Sequence, residues 1–292
     1  RNPQKMQAAK NIKEYAEMIK LGHTLFALPF AMFGMCLAKI DGGKVGISTF
    51  VWIALAFAGA RSAAMGFNRI ADAEIDAKNP RTSNRAIASG KISKLAAGVF
   101  VALSAALMLL SAAMLNKLCL WLALPALTVL FGYSYCKRFT AASHFVLGLA
   151  LSMAPIGAWI AVKGSFDPRI CLAGLALFFQ ISAFDILYAL QDIDFDKKNG
   201  LFSVPAKFGK KASLAVAPIL FAGAAASLFA AGFFFKLGAF YAACAAAAAL
   251  VYFAGYAVFL RAGLNKINLV FFYMNAASSV IIMLSVLPKT FF

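Results

Sequence analysis

Two short segments carry the side chains in this sequence best suited to chemistry. Asn68, Asp72 and Asp76 follow one another at four-residue intervals, and Asp185, Tyr188, Asp192 and Asp196 fall at i, i+3, i+7 and i+11. On a helix each set forms one stripe, the first within an arc of about 80°. Glu74 points roughly the opposite way, and Asp194 lies off its stripe. Seven of the eleven acidic residues lie in these two segments, each at the end of a long apolar stretch. Carboxylates beside lipid-embedded helices are expensive and by default functional. Two such clusters facing one cavity would hold divalent cations, and the cations would hold a phosphate-bearing substrate. An amide followed by two carboxylates suits Mg²⁺, which takes oxygen ligands and keeps several waters.

A basic loop follows each acidic segment. Arg81 and Arg85 follow the first; Lys197, Lys198, Lys207, Lys210 and Lys211 follow or flank the second. The two arginines read as forked clamps for phosphate oxygens, or else as charges that set topology at the lipid surface. Two histidines, His23 and His144, exclude a His-rich zinc site. Both lie near helix starts, where structural or substrate-orienting hydrogen bonds are expected ahead of direct catalysis. The five cysteines are scattered, which gives no support to a disulfide framework or thiolate metal site.

The elements that must position these residues are membrane helices. The chain is 63% hydrophobic, with a mean hydropathy of +0.81, against about 45–50% apolar for a soluble domain. Apolar runs predict nine spans near 22–40, 48–70, 92–114, 118–136, 141–163, 170–190, 212–235, 237–260 and 268–287. Ile12, Tyr15 and Ile19, set between lysines, predict an interfacial helix within residues 1–21. Residues 22–292 then form a single transmembrane domain. The first apolar helix is too long and wrongly flanked for a secretory signal. Twenty lysines and arginines fall on one side of the nine spans and seven on the other, with Arg61 inside the second span. The positive-inside rule makes the richer side cytoplasmic, and both acidic segments lie on it. The expected protein is an all-α, multi-pass protein of the inner (cytoplasmic) membrane. Its N-terminus and active site face the cytoplasm, with about nine helices around a central cavity open to that side. Topology and anionic lipid explain the net charge of +17, so nucleic acid is not expected as a partner.

At these residues the chain resembles the UbiA superfamily of intramembrane aromatic prenyltransferases. Asn68-x3-Asp72-x3-Asp76 is similar to the first Asp-rich motif of the family, and Asp192-x3-Asp196 after Tyr188 to the second. The segment from Tyr133 to Thr140, with Lys137 and Arg138, is similar to the family's Tyr/Lys/Arg segment, and Gly22–Phe30 to the first helix of one branch. Where many members carry Gly-x-Lys-Ser, this chain has Phe202, and Lys197, Lys198 or Lys207 is the expected substitute. That form resembles the branch of 4-hydroxybenzoate and futalosine-route menaquinone prenyltransferases.

The resemblance implies Mg²⁺-dependent transfer of a polyprenyl group from its diphosphate to a hydroxylated aromatic acid in quinone biosynthesis. The acceptor would be 4-hydroxybenzoate or 1,4-dihydroxy-6-naphthoate. Asp72, Asp76, Asp192 and Asp196, with Asn68, would hold the metal; Arg81, Arg85, Lys137 and Arg138 would add positive charge around the diphosphate. Phe67, Phe178, Phe179, Phe184 and Tyr188 lie near the depth at which aromatic faces would stabilise an allylic cation. Lys137, Arg138 and Arg61, in that order, are candidates for the acceptor carboxylate, and Asp185 or Asp192 for its proton. The competing class is a cation-coupled secondary transporter with intramembrane acids at the midplane. Against it, most acids here lie at helix ends, with only Asp185 and Arg61 deeper.

Overall fold

The computed structural model describes residues 14–19 and 24–291. Ile12, His23 and the start of the Gly22–Phe30 segment lie outside them. Among the described residues the chain forms eleven α-helices and no strand. These are α1 (Thr24–Ile40), α2 (Ile47–Ala71), the short α3 (Ala73–Lys78), α4 (Lys94–Leu115), α5 (Lys117–Cys136), α6 (Ser143–Lys163), α7 (Cys171–Ala189), the short α8 (Ile193–Lys198), α9 (Val204–Phe234), α10 (Ala239–Ala262) and α11 (Asn275–Phe291). Single-turn helical pieces join several of them, and residues 14–18 form one further turn. Eight helical segments are long and apolar enough to cross a membrane, and α1 is apolar and shorter. This is a multi-pass membrane protein.

The helices follow the predicted spans closely except at α9, which starts at Val204 rather than near 212, and at α11, which a π-helical turn (Leu269–Met274) precedes and which runs on to Phe291 rather than 287. Lys207, Lys210 and Lys211 break the apolar pattern there, yet the turn forms because Ser203 caps it, accepting the Ala206 N–H at 3.1 Å. Gly209 then kinks the helix with φ of +82°, a conformation that glycine alone adopts cheaply.

The chain wraps around α1, α6 and α7. Helix α2 packs on α4, α5 on α6, α6 on α7, α7 on α9, and α9, α10, α11 and α1 follow in turn. Helix α7 lies in the most buried span. Outer helices show lipid their large side chains, as with Leu95, Val99, Leu103 and Leu110 of α4. Inward they show smaller ones, Ala97, Ser104, Ser111 and Ala112 among them. Residues 14–19 pack on protein: Tyr15, Met18 and Ile19 cover Ala73, Ile87, Ile92 and Ala97.

Several buried polar groups in the apolar layer are paired with one another. Gln180 of α7 donates to Asn275 Oδ1 (2.6 Å) and Ser279 (3.0 Å), and accepts from Tyr252 Oη (2.7 Å). At the end of the bundle away from the acidic segments, Asp41 takes Lys163 and Arg169, each at 3.0 Å, which ties α1 to α6 and α7.

Helices α1 and α6 approach so closely that a Cβ on Gly34 would stand 2.2 Å from the Pro155 carbonyl oxygen, whereas one on Gly132 of α5 would meet nothing within 4 Å. Gly34→Ala should therefore lower the thermal midpoint in detergent by several degrees. Gly132→Ala should hold or raise it, since alanine favours a helix by about 1 kcal/mol. Equal midpoints for the two variants would contradict this packing.

Candidate active site

The first acidic stripe survives a break in its helix. Asp72 ends α2 with φ of −94° and ψ of 4°, but its N–H still donates to Asn68 O (2.9 Å), and the Asp76 N–H to Asp72 O (2.7 Å). Asn68, Asp72 and Asp76 thus stay on one face. Glu74 faces away, its side chain 85% exposed and paired with Lys94. The second stripe passes from α7 through a tight turn (Leu190–Asp192) into α8, which keeps Asp185, Tyr188, Asp192 and Asp196 aligned while Asp194 is exposed.

Both stripes line a single cavity of about 410 Å³. Its polar end holds five carboxylates, Asp72, Asp76, Asp185, Asp192 and Asp196, and four cations, Arg69, Arg81, Arg85 and Lys137. Arg61 lines it deeper, with Ala60, Met108, Ala126 and Ala154. The apolar part runs on to Ile53, Leu115 and Ile160. From Asp72 to Ile53 along α2 is roughly 28 Å, about the thickness of a bilayer core.

Each carboxylate is held. Arg81 makes a forked pair with Asp192, Nε to Oδ1 at 2.9 Å and Nη2 to Oδ2 at 2.5 Å, so the loop after α3 is tied to the second stripe. Burial works against the Arg81 charge, but the hydrogen bond and charge of Asp192 outweigh it and hold the guanidinium above its ordinary range. Arg85 Nη1 reaches both oxygens of Asp76 at 2.7 and 2.8 Å. Asn68 donates to Asp72 (2.9 Å) and Ser203 to Asp196 (2.9 Å), while His144 Nδ1 lies 2.7 Å from Asp185. Burial, reinforced by the Asp76 charge, pushes the Asp72 carboxyl above its usual range against the pull of Lys137, Arg69 and Arg138.

Asn68, Asp72, Asp76, Asp192 and Asp196 offer oxygen donors alone, the set that a hard divalent ion such as Mg²⁺ takes. Among the described residues no three acidic, His or Cys side chains stand gathered for a metal, since the carboxylates are turned to their Arg, Asn and Ser partners. By donor chemistry the residues fit the ion; by arrangement, Arg81 and Arg85 must first release two of them.

Two of the candidate binding residues stand outside the cavity lining. Arg138 donates to the Ala71 carbonyl at 2.5 Å and lies 3.7 Å from Asp72, which makes it a cap on the end of α2. Lys198 is exposed, as are Lys197 and Lys207. The Phe202 side chain is 39% exposed, but its N–H donates to the Lys137 carbonyl at 2.7 Å. The cation in the cavity on that side is Lys137, carried by a different loop.

Of the aromatic candidates Tyr188 alone lines the cavity. Phe67 packs on Phe131 and Tyr135, Phe178 on Phe145 and Phe179, and Phe184 on Phe221 and Tyr252. Phe67 and Phe184 each precede a stripe residue by one position, which turns them about 100° away. Phe271 takes the place expected of them: its ring centroid is 4.3 Å from that of Tyr188, and a π-helical turn (Leu269–Met274) carries it. Arg69, Asn79 and Phe271 were not foreseen. Asn79 is buried, donates to Asp192 (3.3 Å) and accepts the Arg81 N–H (2.9 Å); its place directly before Pro80 was the available signal.

Fold and site together define an all-helical membrane protein with an acidic, cation-balanced chamber that opens into an apolar one. The UbiA prenyltransferase family model matches residues 27–277, and the chain belongs to that family. It is 32% identical over 213 residues to a mitochondrial 4-hydroxybenzoate polyprenyltransferase of Arabidopsis thaliana, covering 70% of this chain and 51% of that one. It spans about half the length of the curated relatives it matches. Among solved structures, the apo UbiA homolog from Aeropyrum pernix K1 has a TM-score of 0.83 at 32% identity, covering 91% of this chain and 97% of that one. A UbiA homolog from Archaeoglobus fulgidus bound to DMAPP and Mg²⁺ shares the fold, with a TM-score of 0.67 at 21% identity over 92% and 99% of the two chains.

Arg81→Ala would leave Asp192, buried apart from 7% of its side chain, with Asn79 as its remaining partner. Breaking a buried pair costs about 3–5 kcal/mol, discounted here because the Arg81 side chain is one-third exposed. A drop of several degrees in thermal midpoint is expected in metal-free buffer, against no measurable drop for Lys198→Ala. A midpoint unchanged by Arg81→Ala would remove the cross-link from this description.

Proposed function

We propose that this protein transfers a polyprenyl group from its diphosphate to the ring of a hydroxylated aromatic acid, with Mg²⁺ as cofactor. The observation that carries the reading is the convergence of two acidic stripes and their basic loops on one chamber that continues as an apolar channel. A diphosphate with a long hydrocarbon tail has that same division of chemistry. Membership of the family replaces the transporter alternative.

Asn68, Asp72, Asp76, Asp192 and Asp196 would hold Mg²⁺, which would supply neutralising charge to the diphosphate leaving group. Arg81 and Arg85 hold two of these carboxylates in the free protein and exchange them for phosphate oxygens, since a guanidinium fork fits either. Lys137 adds a further charge beside Asp72. The prenyl tail lies along the largely apolar, alanine-rich part of the channel. Tyr188 and Phe271 face the carbon that becomes cationic as the diphosphate leaves, each worth about 0.5–2 kcal/mol.

Arg61 is seven residues before Asn68, about 10 Å deeper on the same helix face, and Asp185 is seven before Asp192 on the opposite wall. The two thus stand at similar depth. Arg61 takes the acceptor carboxylate and Asp185 the proton that the acceptor must lose. Arg61 precedes Lys137 and Arg138 in this role, because Lys137 sits among the metal-binding carboxylates and Arg138 caps a helix. The names of the relatives favour 4-hydroxybenzoate, with 1,4-dihydroxy-6-naphthoate as the second acceptor to assay. The excess of basic residues on the side of the acidic segments supports an inner-membrane protein with its active site and N-terminus toward the cytoplasm.

The test is transfer by the purified protein in detergent, given a polyprenyl diphosphate, Mg²⁺ or EDTA, and each acceptor. Product should require Mg²⁺ and fall at least 100-fold in Asp72→Ala and Asp192→Ala. Arg61→Ala should raise the acceptor KM at least tenfold and leave the prenyl diphosphate KM within twofold. Metal-independent transfer, or an Arg61→Ala variant with an unchanged acceptor KM, would overturn the corresponding assignment.

A further inference from the structure

His144 lies at the start of α6, wholly buried and behind the cavity wall rather than in it. Its Nδ1 is 2.7 Å from Asp185 Oδ2, and its Nε2 faces the backbone N–H of Val204 at 3.3 Å. The second contact decides the tautomer. A backbone N–H can only donate, so Nε2 must present its lone pair, and the ring proton must sit on Nδ1. Protonating Nε2 would set two N–H groups against each other in a buried site. The ring is therefore neutral, and Nδ1–H donates to Asp185. That hydrogen bond fixes one oxygen of the Asp185 carboxylate and leaves the group, 19% exposed, on the cavity wall.

We infer that His144 is a positioning residue, locked in its Nδ1–H form by Val204, that holds Asp185 oriented to take the acceptor's proton. The inference rests on the reaction proposed above. In that reaction the carbon–oxygen bond to diphosphate breaks and its electron pair leaves with the diphosphate. A ring carbon of the acceptor bonds to the prenyl carbon while the phenolic proton passes to Asp185. The resulting dienone loses its ring proton and its oxygen regains one, so a single proton is released overall. His144 exchanges no proton in this sequence.

The same turn of chain serves the metal-binding stripe. Ser203, next to Val204, donates to Asp196 and caps α9. One helix start thus sets the orientation of a carboxylate for each half of the reaction: Asp196 directly, and Asp185 through His144.

Three substitutions test this in the full-length protein. His144→Leu removes both contacts. His144→Gln keeps an acceptor near the Nε2 position and loses the donor to Asp185. His144→Asn places an amide N–H near the Nδ1 position and so keeps the donor to Asp185, while its shorter side chain gives up the contact with Val204. Loss of such a supporting partner commonly costs 10–100-fold. The expected result is a kcat for ring prenylation lowered 10–100-fold in the Leu and Gln variants and restored to within about fivefold of wild type in Asn. The prenyl diphosphate KM should stay within twofold, and acceptor-free diphosphate release should fall less than threefold. Asp185→Asn should lower kcat at least as far as His144→Leu, and the double variant no further than Asp185→Asn. Should His144→Leu fail to fold, the contrast between Gln and Asn carries the test. Unchanged kcat in Gln, equal losses in transfer and in acceptor-free release, or additive losses in the double variant would overturn the role of His144. A wild-type protein that prenylates neither acceptor would overturn the reaction itself, before any variant is compared.

Discussion

Charge balance inside a low-dielectric bundle is the constraint on which the site depends. Five carboxylates would repel one another strongly at the mouth of an apolar channel, and burying any one unpaired would cost several kcal/mol. The chain answers with cations placed to meet them: Arg81 on Asp192, Arg85 on Asp76, and Lys137 beside Asp72. Of these, Arg81–Asp192 spans 111 residues of sequence and joins the two halves of the chamber. The two halves of the chamber are thereby joined in the free protein, with the carboxylates turned to their Arg, Asn and Ser partners.

Much of this was legible in the sequence, because a membrane leaves few choices. Backbone groups in lipid must be satisfied within a helix, so apolar runs translate into spans. Four- and seven-residue spacings carry side chains to one face whether or not the helix is perfectly regular. The breaks at Asp72 and Leu190–Asp192 show how tolerant that rule is: the stripes survive both. The start of α9 was less legible, since three lysines mask a helix that a serine cap and a kinked glycine make possible.

What escaped the sequence depends on relations between helices. Periodicity places Phe184 near the right depth but does not say that α9 and α10 cover its ring with Phe221 and Tyr252. Phe271 escaped because a π-helical turn adds a residue to the repeat, so no regular spacing points to it. His144 stood out only as one of two histidines. Its meaning depends on a backbone N–H sixty residues away, to which side-chain patterns are blind.

The hydrogen bond from the Phe202 N–H to the Lys137 carbonyl has a consequence for variation at that position. The main chain makes that contact, so nineteen of the twenty amino acids supply the same donor. Proline alone lacks it. Substitution at position 202 by any residue but proline therefore leaves this tie between the two loops its donor, whatever side chain stands there.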